Sequence, residues 1–97
     1  MRKVIFSETA IKNLKEIKFY LIFKWSERVY LNFKTKLIAN IDLISKNPEA
    51  FPKSNTTIYK CVLIKQITIF YRFNSTEIQI LSLFDTRQNP TKINKIK

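Results

Sequence analysis

Apolar positions along this chain recur with one period before residue 59 and with another after it. Ile11, Leu14, Ile17, Leu21 and Trp25 fall three and four residues apart, which places them on one face of a helix. Lys12, Lys15 and Lys18 fall mostly on the other side. Ser7 precedes this pattern as a hydroxyl cap and Glu8 complements the helix N-terminal dipole, so a helix is predicted over residues 8–24. Ser26 and Glu27 restart the same signal. Val29, Phe33, Leu37, Ile41 and Ile44 predict a second helix to about residue 46. Asn47-Pro48 stops it, because proline disfavours the helical conformation at the residue before it. The short joint between the two implies an antiparallel helical hairpin. Ahead of both, Val4-Ile5-Phe6 reads as an opening strand over residues 2–6.

Phe19, Phe23, Tyr30, Leu31 and Ile38 lie off the main stripes and admit two readings. Either the stripe is wide and both sides of the hairpin are covered, one of them by a sheet, or the hairpin exposes a groove that awaits a partner segment.

Residues 49–58, with Pro52 and Lys53-Ser54-Asn55-Thr56-Thr57, predict a loop. Over residues 59–90 the period becomes two. Three apolar runs are divided by Lys65-Gln66 and by Asn74-Ser75-Thr76, the pattern of an antiparallel meander. Alternation puts Tyr59, Cys61 and Leu63 opposite Lys60, Val62 and Ile64 in the first strand. It puts Ile67, Ile69, Tyr71 and Phe73 opposite Thr68, Phe70 and Arg72 in the second. In the third, Ile78, Ile80, Ser82 and Phe84 alternate with Gln79, Leu81 and Leu83. The order β-α-α-β-β-β gives an α+β fold, an antiparallel sheet packed on a helical hairpin. It forms one domain over residues 1–97, with a basic tail at 91–97 that is expected to be frayed or ordered only against a partner.

Composition adds a partner to this frame. Eighteen Lys and Arg stand against seven Asp and Glu, a net charge of +11 on 97 residues. Such a balance implies an anionic partner, either nucleic acid or an acidic protein. Basic residues interrupt the meander itself at Lys60, Lys65, Arg72 and Arg87. The chain has no Gly, so no phosphate-cradling glycine loop is available and its turns must be ordinary ones. It has no His, which removes imidazole acid–base catalysis and His metal sites. Cys61 stands alone in an apolar run and reads as a packed strand residue. Neither a metal nor a cofactor is expected. The longest uninterrupted apolar run, residues 19–23, is too short to cross a bilayer, Val4-Ile5-Phe6 is too short for a signal sequence, and no cysteine framework is present, so a cytoplasmic protein without membrane partners is expected.

The ordered set of motifs resembles the RelE/ParE superfamily of type II toxin–antitoxin toxins over nearly the whole chain. It comprises the opening strand, Ser7, the Ala10, Leu14, Ile17 helix, Asn47-Pro48 and Phe51-Pro52. Tyr59-Lys60-Cys61-Val62-Leu63 and Ile69-Phe70-Tyr71-Arg72 follow, and residues 80–90 close it with ILSLFDTRQNP. The aromatic-Tyr-Arg of the middle strand and the final Arg87-x-x-Pro90 are its most specific pieces. The resemblance implies a toxin held inactive by an acidic, amphipathic antitoxin in a hetero-oligomer. Its target would be DNA gyrase in one branch of the superfamily, or mRNA on the ribosome in another. In the nuclease branch a cationic cluster on the exposed sheet face does the chemistry. By position, the resemblance carries this to Lys60, Arg72 and Arg87 as catalytic candidates, and to Lys65, Arg72 and Arg87 as contacts to phosphate or target. RNA cleavage by the 2′-hydroxyl needs a base, an acid and positive charge on the phosphorane, and an arginine can clamp phosphate with two bonds. Two departures favour the gyrase branch. No His follows the last strand, where Asp85 stands instead, and no Tyr occurs beyond Tyr71.

Overall fold

A computed structural model describes residues 2–86. Its elements are β1 (Lys3–Phe6), α1 (Glu8–Lys24), α2 (Glu27–Lys46), a 3-10 turn (Pro48–Ala50), β2 (Tyr59–Ile64), β3 (Ile67–Phe73) and β4 (Glu77–Asp85). Both predicted helix caps form. The Ser7 hydroxyl accepts from the Ala10 amide at 2.9 Å, and that of Ser26 from the Val29 amide at 3.2 Å. The loop before β2 contains the 3-10 turn and an isolated bridge between Lys53 and Tyr59.

The sheet order is β1-β4-β3-β2. The β2-β3-β4 meander is antiparallel as expected, but β1 joins β4 in parallel, so the sheet is mixed rather than wholly antiparallel. The helical hairpin lies between the two in sequence and supplies the long crossover that a parallel pair requires.

One face of the sheet packs on the hairpin. Its centre is Ile67, Ile69, Tyr71, Ile78 and Ile80, all fully buried, against Ala10, Ile17, Leu21, Phe33, Leu37 and Ile44 from the helices. Two residues of the predicted α1 stripe do not belong to it. Ile11 and Trp25 are exposed, and the buried line starts from Ala10, one residue earlier. Burying a side chain of Ile or Leu size is worth roughly 1.5–3 kcal/mol, so this face dominates stability. Tyr71 carries a polar tip into it, and its hydroxyl donates to the Pro48 carbonyl at 2.7 Å. Its ring stacks on Tyr59 and meets Phe51 edge-on. Burial pushes the Tyr71 phenol well above its ordinary range, with smaller contributions from Cys61 and Tyr59. The thiol of Cys61 is buried beside it, bonds to Asn40 Oδ1 at 3.4 Å, and is likewise pushed up by desolvation.

The last strand departs from simple alternation. Phe70 pairs with Ser82 but Tyr71 pairs with Ile80, so Leu81 is an extra residue, a β-bulge. Ile78 and Ile80 face the helices before it, and Leu83 and Asp85 face them after it. Ser82 and Phe84, predicted to share the face of Ile80, therefore turn to the opposite one. Helix α1 holds the bulge directly. The Ser7 hydroxyl donates to the Leu81 carbonyl at 2.7 Å, and the Leu83 amide donates to Asn13 Oδ1 at 3.1 Å.

With no glycine, no described residue takes positive φ. Turns are closed by asparagine instead. Asn74 Oδ1 accepts from the amides of Thr76 and Glu77, and Asn55 Oδ1 from those of Thr57 and Ile58, each bond 2.9 Å long. The two-residue Lys65-Gln66 link would ordinarily favour positive φ, because that matches strand twist. Here the register of β2 shifts between Val62 and Ile64, at the end next to that link.

Candidate functional site

The face of the sheet turned away from the helices is open. Strand registers assemble it in cross-strand rows. Lys60, Phe70 and Ser82 form one row, and Val62, Thr68 and Phe84 the next toward the Lys65-Gln66 turn. On the other side Arg72 pairs with Gln79, which in turn pairs with Ile5 of β1. Lys60 and Arg72 thus share one face as diagonal neighbours, a spacing on the order of 7–8 Å between backbones. Both are exposed, as are Lys3 and Val62, whereas Phe70, Phe84, Thr68 and Ser82 are half-buried. The result is an apolar, partly aromatic patch with cations at its margin.

Arg72 is held rather than loose. Its Nε donates to Gln79 Oε1 at 2.7 Å, and Gln79 Nε2 donates to Glu77 Oε1 at 3.4 Å. Asp85, which stands where the resemblance would place a His, is buried on the helix-covered face. Its position follows from the bulge, which reverses the strand's alternation between Ile80 and Leu83. Lys65 is exposed in the β2–β3 turn. It lies five positions along the chain from Lys60, roughly 16 Å at about 3.3 Å per residue, so it is not beside the Lys60–Arg72 pair. Arg87 and the basic tail lie outside the described residues. Thr86, the last of those, donates its amide to the Gln66 carbonyl at 3.0 Å.

A second surface lies on the outside of the hairpin. Phe19 and Phe23 are 71% and 79% exposed and stack on each other with ring centres 5.9 Å apart. They border a hollow of about 300 Å³ completed by Lys15, Lys18 and Ile22. A second hollow of about 360 Å³ shares Lys15 and Lys18 and reaches Phe6, Ile11, Leu14 and Tyr30. Leu31 and Ile38 of α2 are also exposed. Of the two readings left open by the sequence, full coverage does not hold for Phe19, Phe23, Leu31 and Ile38, which are exposed, and Phe19 and Phe23 line a hollow. Tyr30 is half-buried, with Lys18 Nζ 5.4 Å from its ring centre.

The sequence matches the family model described as the ParE toxin of the type II toxin–antitoxin system, parDE, over residues 4–90. The chain belongs to the ParE toxin family. Solved structures with the same fold include the chromosomal ParDE toxin–antitoxin system from P. aeruginosa. There the TM-score is 0.72 at 15% identity, covering 88% of this chain and 96% of that one. The E. coli DinJ–YafQ complex matches in two structures. One has a TM-score of 0.61 at 11% identity, covering 92% of this chain and 98% of that one. The other has a TM-score of 0.60 at 13% identity, covering 91% and 96%. No curated protein matches this sequence.

In this ParE-family toxin the strand registers bring Lys60 and Arg72 onto one face, and Lys65 stands apart from them. Gln79, Phe70, Phe84 and Val62 complete the patch, and none was legible as a site residue. Gln79 could be found only through the register of β3 against β4, and Phe84 only through the bulge at Leu81. No described helix is long and apolar enough to cross a membrane.

Proposed function

We propose that this type II toxin arrests growth by binding a DNA topoisomerase, gyrase, through the open face of its sheet around Lys60 and Arg72, and that it acts in the cytoplasm. The observation that carries this is the make-up of the face. Cleavage of RNA needs an acid and a base flanking the phosphate. Around Lys60 and Arg72 stand Phe70, Ser82, Thr68 and Gln79, none of which titrates near neutral pH. Glu77 is the remaining carboxylate of that face among the described residues, and Gln79 is bonded to it. Tyr71, next to Arg72 in sequence, turns the other way and is committed to the Pro48 carbonyl, and Tyr59, next to Lys60, stacks on the Tyr71 ring. A half-apolar face with two marginal cations suits a protein surface bearing carboxylates, where arginine and aromatic residues concentrate binding energy.

The neutralising partner is an acidic, amphipathic antitoxin segment seated on the outer side of α1. Phe19, Phe23 and Ile11 offer apolar contact there, and Lys15 and Lys18 select for negative charge. Binding and neutralisation thus use different surfaces, and Phe19→Glu should separate them. Cells expressing that variant should still arrest, but the antitoxin encoded beside the toxin should rescue them poorly. Rescue equal to wild type would place the antitoxin elsewhere.

The target is tested with purified protein in gyrase supercoiling and in mRNA cleavage on translating ribosomes, run side by side. Inhibition of supercoiling with intact mRNA is expected. Cleaved mRNA with unimpaired supercoiling would assign the chain to the nuclease branch instead.

A further inference from the structure

We infer that Gln79 is a positioning residue for Arg72: it occupies the guanidinium Nε so that the terminal Nη groups are presented end-on to a carboxylate of the target. This rests on the assignment of Arg72 as a target contact made above. The two side chains stand directly opposite each other on β3 and β4, on the open face. The 2.7 Å bond from Arg72 Nε to Gln79 Oε1 is the shorter of the two that Gln79 makes. The second, from Gln79 Nε2 to Glu77 Oε1, fixes which way the amide points. Its nitrogen is turned to the carboxylate, and its oxygen is therefore turned to the guanidinium.

The chemistry of the pair has three consequences. An arginine can grip a carboxylate side-on through Nε and one Nη, or end-on through both Nη groups. With Nε engaged, only the end-on grip remains. The guanidinium is also ordered before the target arrives, which lowers the entropy lost on binding. Finally, glutamine is neutral, so it orients Arg72 without cancelling its charge. A glutamate at position 79 would offer the same acceptor but would pair with the cation and compete with the target. The sequence placed Gln79 only as an alternating polar residue of the last strand.

Lysine has no Nε, so its behaviour separates orientation from general support of the strand. The measurement is the inducer level that half-arrests growth, read for Gln79→Leu and Gln79→Glu in the wild-type background and for Gln79→Leu in an Arg72→Lys background. The melting temperature and antitoxin binding of each purified variant are followed in parallel. Gln79→Leu is expected to weaken toxicity about tenfold in the wild-type background and less than twofold in the Arg72→Lys background, with antitoxin binding unchanged. Gln79→Glu is expected to weaken it at least as much as Gln79→Leu. Gln79→Met, straight-chained and without an acceptor, replaces Gln79→Leu should that variant fold poorly. Equal losses in both backgrounds would show that Gln79 merely supports the strand, and full toxicity of Gln79→Leu beside a non-toxic Arg72→Ala would show that the orientation is immaterial. Either result overturns the inference and leaves Arg72 as a contact. Full toxicity of Arg72→Ala would remove the contact and the positioning role together.

Discussion

The two faces of the sheet are made by the same strands yet answer to different demands. On the covered face Ile67, Ile69, Tyr71, Ile78 and Ile80 are large side chains at zero exposure. On the open face the intervening positions carry Thr68, Phe70, Arg72 and Gln79, half-buried or exposed, and Val62 is 60% exposed. A sheet with one face against a core and one against water normally alternates apolar with polar. Here the water-facing side is too apolar for simple solvation and too cationic for a second core. Stability therefore resides on one face, and the proposed binding surface is the other.

Substitutions should divide along that line. The largest effect on stability is expected from Ile69→Ala on the covered face, about 2–5 kcal/mol in urea denaturation, the range for an aliphatic residue removed from a packed core. A loss below about 1 kcal/mol would mean that this face is far less tightly packed than its burial indicates.

Ser7→Ala is expected to cost about 1–2 kcal/mol, typical of a lost helix cap. Ser7 also bonds Leu81, so the bulge should loosen as well. Faster hydrogen exchange at the Leu83 amide would register this, and unchanged exchange there would confine the role of Ser7 to the helix.

Tyr71→Phe is smaller again, about 1 kcal/mol near neutral pH for one hydrogen bond. It has a signature at high pH. Burial raises the Tyr71 phenol and the Cys61 thiol in the folded state, so the unfolded chain releases these protons first. Stability from both groups is fully present below the ordinary thiol pKa of about 8.5 and falls as pH rises beyond it, more steeply beyond the ordinary tyrosine value of about 10. In Tyr71→Phe the steeper part should flatten, which denaturation between about pH 8 and 11 would read. An unaltered slope would assign the alkaline loss to other groups.

Much of this architecture was open to a reader of the sequence, because periodicity records burial. The hairpin, its two serine caps, the three meander strands and the proline stop all appear where the pattern put them. Two things did not, and each depends on partners distant in the chain. The parallel placement of β1 is decided by what lies between β1 and β4, not by Val4-Ile5-Phe6 alone. The bulge at Leu81 is stabilised from Ser7 and Asn13, which lie at the other end of the chain. Without it Ser82 and Phe84 read as core and Asp85 as surface, the reverse of what is observed. The same limit applies to the site. Lys60 and Arg72 could be named from their residue types, but that they share a face depends on the pairing of Lys60 with Phe70. That Gln79 holds Arg72 depends on the register of another strand pair.

If the open face is the working surface and contributes little to stability, a Lys60→Ala, Arg72→Ala double variant should lose toxicity and keep its fold. The sharpest test is to express that variant and follow growth, with the melting temperature of the purified protein measured alongside. Exposed substitutions of this kind usually change stability by no more than about 0.5 kcal/mol each, so the melting temperature should move by only a few degrees, roughly 4–8 °C at most for the pair. Growth should then continue at the rate of cells without toxin. A double variant that folds as well as the wild type and still arrests growth at the same level of expression would show that the toxin works through another surface.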